Sequence, residues 1–170
     1  KDKEVLLIAS GPKSEEYLHS IENYIKKYRP YVIAVNNNVK VNKNFINVYA
    51  ACNPLKFIAD INSFRKLRRP LIAPEGILDK NIRKKLSKIK IFNFGVGLEQ
   101  NKYKFFKSGA IIPRFYTLAY SLAIATSGKS KKILLAGFDG YGANDNRTKL
   151  INNLLHQYSA SKGSKKILAI

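Results

Sequence analysis

Apolar runs that stop at small polar residues alternate along this chain with segments of helical periodicity. The first run covers residues 5–9 and ends at Ser10-Gly11-Pro12, and a later one covers residues 133–136, directly after Lys132. Unbroken apolar runs of this length are typical of strands covered on both faces, as in a parallel sheet. The segments between them repeat apolar residues every three or four positions, as amphipathic helices do.

This pattern predicts the order of the elements. Strands are expected at residues 5–9, 31–35, 45–51, 71–73, 89–94, 132–136 and 167–170, and helices at residues 14–28, 55–67, 81–88, 114–126 and 146–159. The helix over 55–67 would bury Ile58, and the helix over 114–126 is apolar enough to be largely buried. Residues 95–113 show no clear period and predict a loop with exposed aromatics, which could act as a lid.

Strands and helices that alternate in this way predict an α/β fold, a Rossmann-like sandwich with a mainly parallel sheet flanked by helices. The 170 residues fit a single domain, residues 1–170. The chain contains no methionine, even at position 1, which favours a domain excised from a longer protein. An apolar fraction of 45% argues against disorder, and no apolar run approaches the roughly 20 residues of a membrane span.

The cysteine content and the charge bear on location and partners. The single Cys52 excludes an internal disulfide and a cysteine-based zinc site, and it fits a reducing cytoplasm. A net charge of +20 suggests nucleic acid or an anionic membrane as a partner. The basic residues are nevertheless spread along the chain without interleaved aromatics, which disfavours nucleic acid. The basic helix over 81–88 could contact the inner face of a membrane, or it could simply be solvated.

Polar side chains follow the predicted strands, at the edge where parallel sheets bind their ligands. Free amides at the start of the first helix, with Lys13 beside them, could hold a phosphate, although the same turn also occurs as plain architecture. The side-chain amides of the asparagines after the second strand could hydrogen-bond a base or a ribose, or these residues could simply form a loop. The candidate binding residues are Ser10, Gly11, Pro12, Lys13, Asn36, Asn37, Asn53, Thr117 and Ser121.

Three further side chains are candidates for chemistry. Asp139 could accept from backbone amides and shape its glycine turn, ligate Mg²⁺ beside a diphosphate, or act as a base. Tyr141 could hydrogen-bond a leaving phosphate, or could simply pack. His156 lies beside the apolar side of the last helix and is a candidate general base without an evident carboxylate partner. The sequence contains no acidic cluster suited to a pair of metal ions.

Several of these motifs resemble known bacterial families. Ser10-Gly11-Pro12, Val35-Asn36, Asn53-Pro54 and the stretch 137–141, Gly-Phe-Asp-Gly-Tyr, fall in the order seen in small lipooligosaccharide sialyltransferases. The Gly-Pro-Ser-type turn is similar to that of pterin diphosphokinase-like and motility accessory proteins. The stretches 117–123 and 134–141 resemble a domain attached C-terminal to aldolase-type barrels in bacterial surface-polysaccharide clusters.

The resemblance implies that Ser10, Gly11, Asn36 and Asn53 hold a nucleotide and that Tyr141 touches its phosphate. The transferases also have a histidine base in a loop after the last motif and a second phosphate-binding tyrosine, whereas the loop over residues 142–147 of this chain contains neither a histidine nor a tyrosine. Arg147 could replace the missing phosphate contact as a bidentate donor.

Three functions follow as expectations. The first is a nucleotide-sugar-dependent, sialyltransferase-like activity in lipopolysaccharide or surface glycan synthesis. The second is a non-catalytic nucleotide-binding module that serves a fused or associated aldolase-type domain. The third is a charge-driven nucleic acid or membrane surface binder.

Overall fold

The computed structural model describes residues 2–139, 141–142 and 144–170. The strands are β1 (Val5–Ile8), β2 (Tyr31–Val35), β3 (Val48–Ala50), β4 (Leu71–Ala73), β5 (Ile91–Asn93), β6 (Gly95–Leu98), β7 (Lys104–Phe106), β8 (Gly109–Ile112), β9 (Ile133–Ala136) and β10 (Ile167–Ala169). The helices are α1 (Pro12–Glu16), α2 (Leu18–Tyr28), α3 (Pro54–Ala59), α4 (Ile61–Phe64), α5 (Lys80–Lys85), α6 (Thr117–Ser127) and α7 (Asn146–Ser159).

Seven strands form one sheet in the order β10-β9-β1-β2-β3-β4-β5, and every pairing in it is parallel. The chain moves outward from β1 to β5 on one side, then returns to place β9 and β10 on the other side of β1. This reversal beside β1 is the position where open α/β sheets bind ligands. The predicted Rossmann-like α/β sandwich is confirmed.

Alternate residues of the strands face two helical layers. Val5 and Leu7 of β1 pack with α6 and α7, whereas Leu6 and Ile8 pack with α2 to α5. All four side chains are buried, because both faces of the central strand are covered. This explains why β1 reads as an unbroken apolar run.

Helix α6 is buried along almost its whole length, as its composition predicts. Every residue from Leu118 to Thr126 is buried. One side of the helix lies on the main sheet, and the three-stranded sheet β6-β8-β7 lies against it as well. None of the described helices combines the length and the apolar character that a membrane crossing requires.

The prediction of a loop over residues 95–113 is wrong. These residues form the small sheet, in which β8 pairs with β6 in parallel and with β7 antiparallel. Tyr103 is buried, and its ring packs edge-on against Tyr158 with the centroids 5.5 Å apart. Phe105 also contacts Tyr158, and only Phe106 among these aromatics is exposed. Packing against α7 therefore fixes a segment that has no periodicity of its own.

Two of the predicted helices are interrupted. The helix expected over residues 14–28 is divided at Tyr17, whose φ of −98° and ψ of 20° separate α1 from α2. The helix expected over residues 55–67 is divided at Asp60 and ends at Phe64. Ile58, predicted to be buried, is 58% exposed, while Phe57 and Phe64 form the buried side.

The hydroxyl of Tyr120 links α6 to the strand that enters the small sheet. It donates to the carbonyl oxygen of Phe94 at 2.6 Å in a buried environment. Tyr120→Phe is expected to lower the free energy of unfolding by about 1–3 kcal/mol, because the Phe94 carbonyl loses its partner. Urea unfolding measures this loss. Tyr103→Phe is the matched control and should cost less, since its hydroxyl reaches Leu154 O only at 3.4 Å.

Candidate functional site

A cavity of about 530 Å³ lies beyond the carboxyl ends of β1, β2 and β3, between the start of α6 and the loop after β9. The structure brings seven of the predicted site residues into its lining. They are Ser10, Gly11, Pro12, Asn36, Asn53, Thr117 and Tyr141. These residues come from five separate parts of the chain, and the parallel sheet places them at one edge.

Two glycines lock the loops that follow β1 and β9. The Gly11 amide donates to Gly137 O at 2.8 Å, and a Cβ added to Gly11 would lie 2.5 Å from that oxygen. Gly137 has a φ of +73°, and a Cβ added there would lie 2.4 Å from Ala9 O. Only glycine permits this approach of backbone to backbone. The floor of the cavity is therefore rigidly defined.

The amides at the start of α1 are already satisfied. The Lys13 amide donates to Oδ2 of Asp139 at 3.0 Å, and the Ser14 amide donates to Gly11 O at 2.9 Å. Pro12 has no amide proton, and the Gly11 amide is held by Gly137. The prediction of a free anion site at this helix start is therefore wrong. The Ser10 amide, by contrast, donates no hydrogen bond within the described part of the chain.

Asn36 and Asn53 present their amide groups in the same way. Asn36 has a φ of +63°, and its Oδ1 accepts from the hydroxyl of Thr117 at 3.3 Å. Oδ1 of Asn53 caps α3 by accepting from the Leu55 amide at 3.0 Å. With both oxygens engaged, the NH₂ groups remain as donors, and neither makes a hydrogen bond among the described residues. The cavity therefore offers donors to a ligand that carries acceptors.

A charged pair lies beside the tyrosine of the cavity. The guanidinium of Arg147 stacks on the Tyr141 ring, 3.9 Å from its centroid, and binds Asp145 through Nε and Nη2. The Arg147 side chain and its backbone amide hold the pKa of Asp145 at about 2. Asp145 thus remains ionised at neutral pH, fixes the arginine over the ring, and offsets part of its charge. Gly140, which belongs to the predicted motif, and the neighbouring Ala143 lie outside the described residues.

Comparison of the chain with protein-family models, curated proteins and solved structures finds no match. The resemblances stated for the sequence therefore remain predictions. What the cavity can do follows from its own geometry and chemistry.

The other six predicted site residues, among them Arg147 described above, do not line the cavity. Lys13 is exposed beside its mouth on α1, and Ser121 is fully buried within α6. Asn37 is half-buried next to Asp60, whose pKa is lowered chiefly by Lys56 and less by Asn37. His156 is exposed on α7, away from the lining.

Asp139 accepts a hydrogen bond from a backbone amide, as the first of its three interpretations predicts, but from a different amide than expected. Its carboxylate accepts a backbone amide, but the amide is that of Lys13 in α1 rather than one in its own turn. This bond joins the loop after β9 to the loop after β1. Among the described residues, no three His, Cys, Asp or Glu side chains gather as metal ligands. A Mg²⁺ ion at this edge would be coordinated by the Asp139 carboxylate and by oxygen atoms of the molecule bound in the cavity.

The sequence reasoning missed the apolar part of the lining. Phe115, Tyr116, Phe138 and Ile151 line the cavity together with the polar groups. Phe115 and Tyr116 precede α6, whereas the pattern placed them inside its helix. Their position directly before Thr117 is the sequence signal that could have revealed Phe115 and Tyr116, since residues that precede a helix usually lie in a loop at the carboxyl edge of the sheet. Aromatic rings beside amide donors suit a flat ring that carries acceptors.

Cys52, two residues after the end of β3 and next to the cavity residue Asn53, is fully buried. Burial raises the pKa of its thiol to about 12, while a hydrogen bond with Thr117 acts weakly in the opposite direction. The native protein is therefore expected to resist a thiol reagent at pH 8 for as long as it stays folded, because neither access nor thiolate is available. Labelling by a chromogenic disulfide in buffer and in denaturant measures this. Rapid labelling in buffer would contradict the burial.

Proposed function

We propose that this domain binds a nucleotide or sugar nucleotide in the cavity at the carboxyl edge of its sheet. The observation that carries the proposal is the convergence of Ser10, Asn36, Asn53 and Tyr141 on one cavity of about 530 Å³. Ligand cavities are typically about 300–1,000 Å³ and combine apolar walls with a few polar groups. This cavity has both.

The charge of the lining suggests how such a ligand lies. None of the described residues that line the cavity is Lys, Arg, His, Asp or Glu. A neutral base and a sugar ring fit such a lining, with the amide donors on ring oxygens and the aromatic side chains on ring faces. The cations lie outside it, in Arg147 over Tyr141 and in exposed Lys13. A phosphate would therefore point towards the rim.

Glycosyl transfer, as in the resembling sialyltransferases, is the second candidate. The stacked pair Tyr141 and Arg147 favours it, because a phenol and a guanidinium could stabilise the charge on a leaving nucleotide phosphate. Among the described residues, the lining supplies no histidine or carboxylate as a base, and the acceptor would have to be deprotonated by another group. Binding thus has more support than transfer.

The biological setting follows from the resemblance alone. In lipopolysaccharide or surface glycan synthesis, the domain would either transfer a sugar or hold a sugar nucleotide for an aldolase-type domain. In the second case the cavity needs no general base, which agrees with a described lining that contains no His, Asp or Glu.

Calorimetry separates these possibilities. The chain is titrated with CMP, CDP, UDP, a pterin and the uncharged nucleosides cytidine and uridine, in the presence of Mg²⁺ and of EDTA. The proposal predicts saturable binding of a nucleotide and weaker but measurable binding of its nucleoside, because the lining is neutral. Affinity that depends only on ligand charge would contradict it. Release of free nucleotide from a sugar nucleotide would then favour the transferase, and binding without turnover would favour the module.

A further inference from the structure

The basic residues are spread along the sequence, yet the fold gathers them at one edge of the sheet. Five connections lead into strands β2, β4, β5, β9 and β10 at residues 26–29, 65–69, 84–90, 129–132 and 162–166. Together they hold seventeen of the 31 Lys and Arg residues and no Asp or Glu. We call these five connections the basic edge.

The opposite edge of the sheet has equal numbers of basic and acidic residues. The segments that leave strands β1, β2, β3, β4 and β9 cover residues 9–16, 36–40, 51–56, 74–80 and 137–149. They hold six Lys or Arg and six Asp or Glu. The positive charge of the chain is thus polarised along the strand direction. The candidate nucleotide cavity lies at the balanced edge.

The five connections lie at the same edge because all seven strands run the same way, and the segments that lead into β1 and β3 lie between them, with Asp2 and Glu4 as their acidic residues. Backbone bonds connect its segments: the Val5 amide donates to Lys132 O, the Ile133 amide to Lys166 O, and the Leu71 amide to Lys90 O. With strands about 4.8 Å apart, the edge from β10 to β5 spans about 30 Å.

The cations of this edge are mostly exposed and unpaired. Among the described cations of the basic edge, Lys132 alone forms an ion pair, with Glu4 at 2.7 Å. Between α4 and α5 the edge carries an open groove of about 950 Å³, and none of its lining residues in the described part of the chain is acidic. Its basic lining residues are Arg65, Lys66, Lys84, Lys85 and Lys88.

The dipoles of the helices explain only part of this charge. Each connection follows a helix C-terminus, where a cation in the last turn is favourable. However, α4 has four residues and α5 has six, so their dipoles are small. Many of the cations also lie beyond the helix ends, as Lys88 and Lys131 do.

We propose that the basic edge docks this domain onto an anionic phospholipid bilayer, a role that goes beyond nucleotide binding. The edge is broad, and lysine outnumbers arginine thirteen to four, which suits diffuse attraction to a charged plane. Two exposed tyrosines, Tyr28 and Tyr31, lie among the cations, and tyrosine is favoured at membrane interfaces.

A bilayer fits this edge better than nucleic acid does. The α-helices that border the edge present their C-termini to it, so among the described residues no α-helix begins there that could enter a groove by its N-terminus. The basic groove itself has no aromatic lining on which bases could stack. Docking by this edge leaves the candidate nucleotide cavity at the far end of the strands, open to the aqueous side.

Vesicle co-sedimentation tests the proposal. The folded chain is mixed with vesicles of phosphatidylcholine, or of phosphatidylcholine and phosphatidylglycerol in equal amounts, at ionic strengths up to about 0.15 M. Binding is expected only to the anionic vesicles and should weaken as salt is added. The triple variant Lys84→Gln, Lys85→Gln, Lys88→Gln should bind about 100-fold more weakly, since each lysine near the surface contributes about fivefold.

A matched variant removes the same charge elsewhere. Lys80→Gln, Lys107→Gln, Lys149→Gln changes three exposed lysines outside the basic edge and should bind within about threefold of the parent chain. Circular dichroism verifies that both variants are folded. If both weaken equally, or if anionic vesicles are not bound, the proposal is overturned. Tighter binding to duplex DNA or to single-stranded RNA than to vesicles, at equal salt, would overturn it in favour of nucleic acid.

Discussion

Replacing Gly137 by alanine is expected to lower the free energy of unfolding by about 3 kcal/mol or more. Gly137 adopts a φ of +73°, which costs an L-residue about 1–2 kcal/mol. The added Cβ would also lie 2.4 Å from Ala9 O and 2.6 Å from Cβ of Ser14. The first of these is a backbone atom of the central strand's end and cannot move aside by changing a rotamer, so the loops after β1 and β9 must separate.

Urea unfolding followed by circular dichroism measures this loss. With a slope of about 2 kcal/mol/M, the midpoint should fall by about 1.5 M. Gly142→Ala is the matched control in the same loop, because its added Cβ meets no atom within 4 Å. The control should stay within about 0.5 kcal/mol of the parent chain. Equal stability of the two variants would mean that the loops are not locked as described.

Asn36→Asp is expected to weaken nucleotide binding about 100-fold. The aspartate oxygen can still accept from the hydroxyl of Thr117, so the local contact is kept. The NH₂ donor of this cavity-lining side chain is lost, and a negative charge is added beside a ligand rich in acceptors. A ligand acceptor that is left without its partner in the desolvated cavity costs about 1–3 kcal/mol, which alone corresponds to about 5–150-fold.

Two further variants identify the cause of that loss. Asn36→Gly removes the side chain but keeps the left-handed backbone, and it should cost about tenfold. Asn38→Asp adds the same charge two residues away, at an exposed position outside the lining, and should change affinity less than threefold. Calorimetry with the tightest nucleotide measures all three. If Asn38→Asp weakened binding as much as Asn36→Asp, general charge repulsion and not the loss of the Asn36 donor would explain the weaker binding.

The central features of the fold could be predicted because they are local in sequence. Unbroken apolar runs such as residues 5–9 identify strands covered on both faces, and their alternation with helices implies a parallel sheet. Once the sheet is parallel, the polar groups after β1, β2 and β3 must meet at one edge. That step accounts for the correct placement of Ser10, Asn36 and Asn53 in one cavity.

The features that could not be predicted depend on distant partners. The amides at the start of α1 look free in the sequence, but Asp139 accepts from Lys13 across 126 positions. The small sheet has short strands rich in glycine, and it is ordered by contacts of Tyr103 and Phe105 with Tyr158. No local pattern in the sequence indicates the basic edge, because the edge forms only when the parallel sheet aligns five separate connections.

Mapping the bound nucleotide by heteronuclear NMR tests the central claim most directly, because a chain of charge +20 can attract phosphates at many places. The account predicts that titration shifts the amide signals of Ser10, Asn36, Asn53 and Tyr141, and that these shifts persist at high salt. Shifts confined to residues 65–69 and 84–90, or shifts scattered over the surface and abolished by salt, would contradict it.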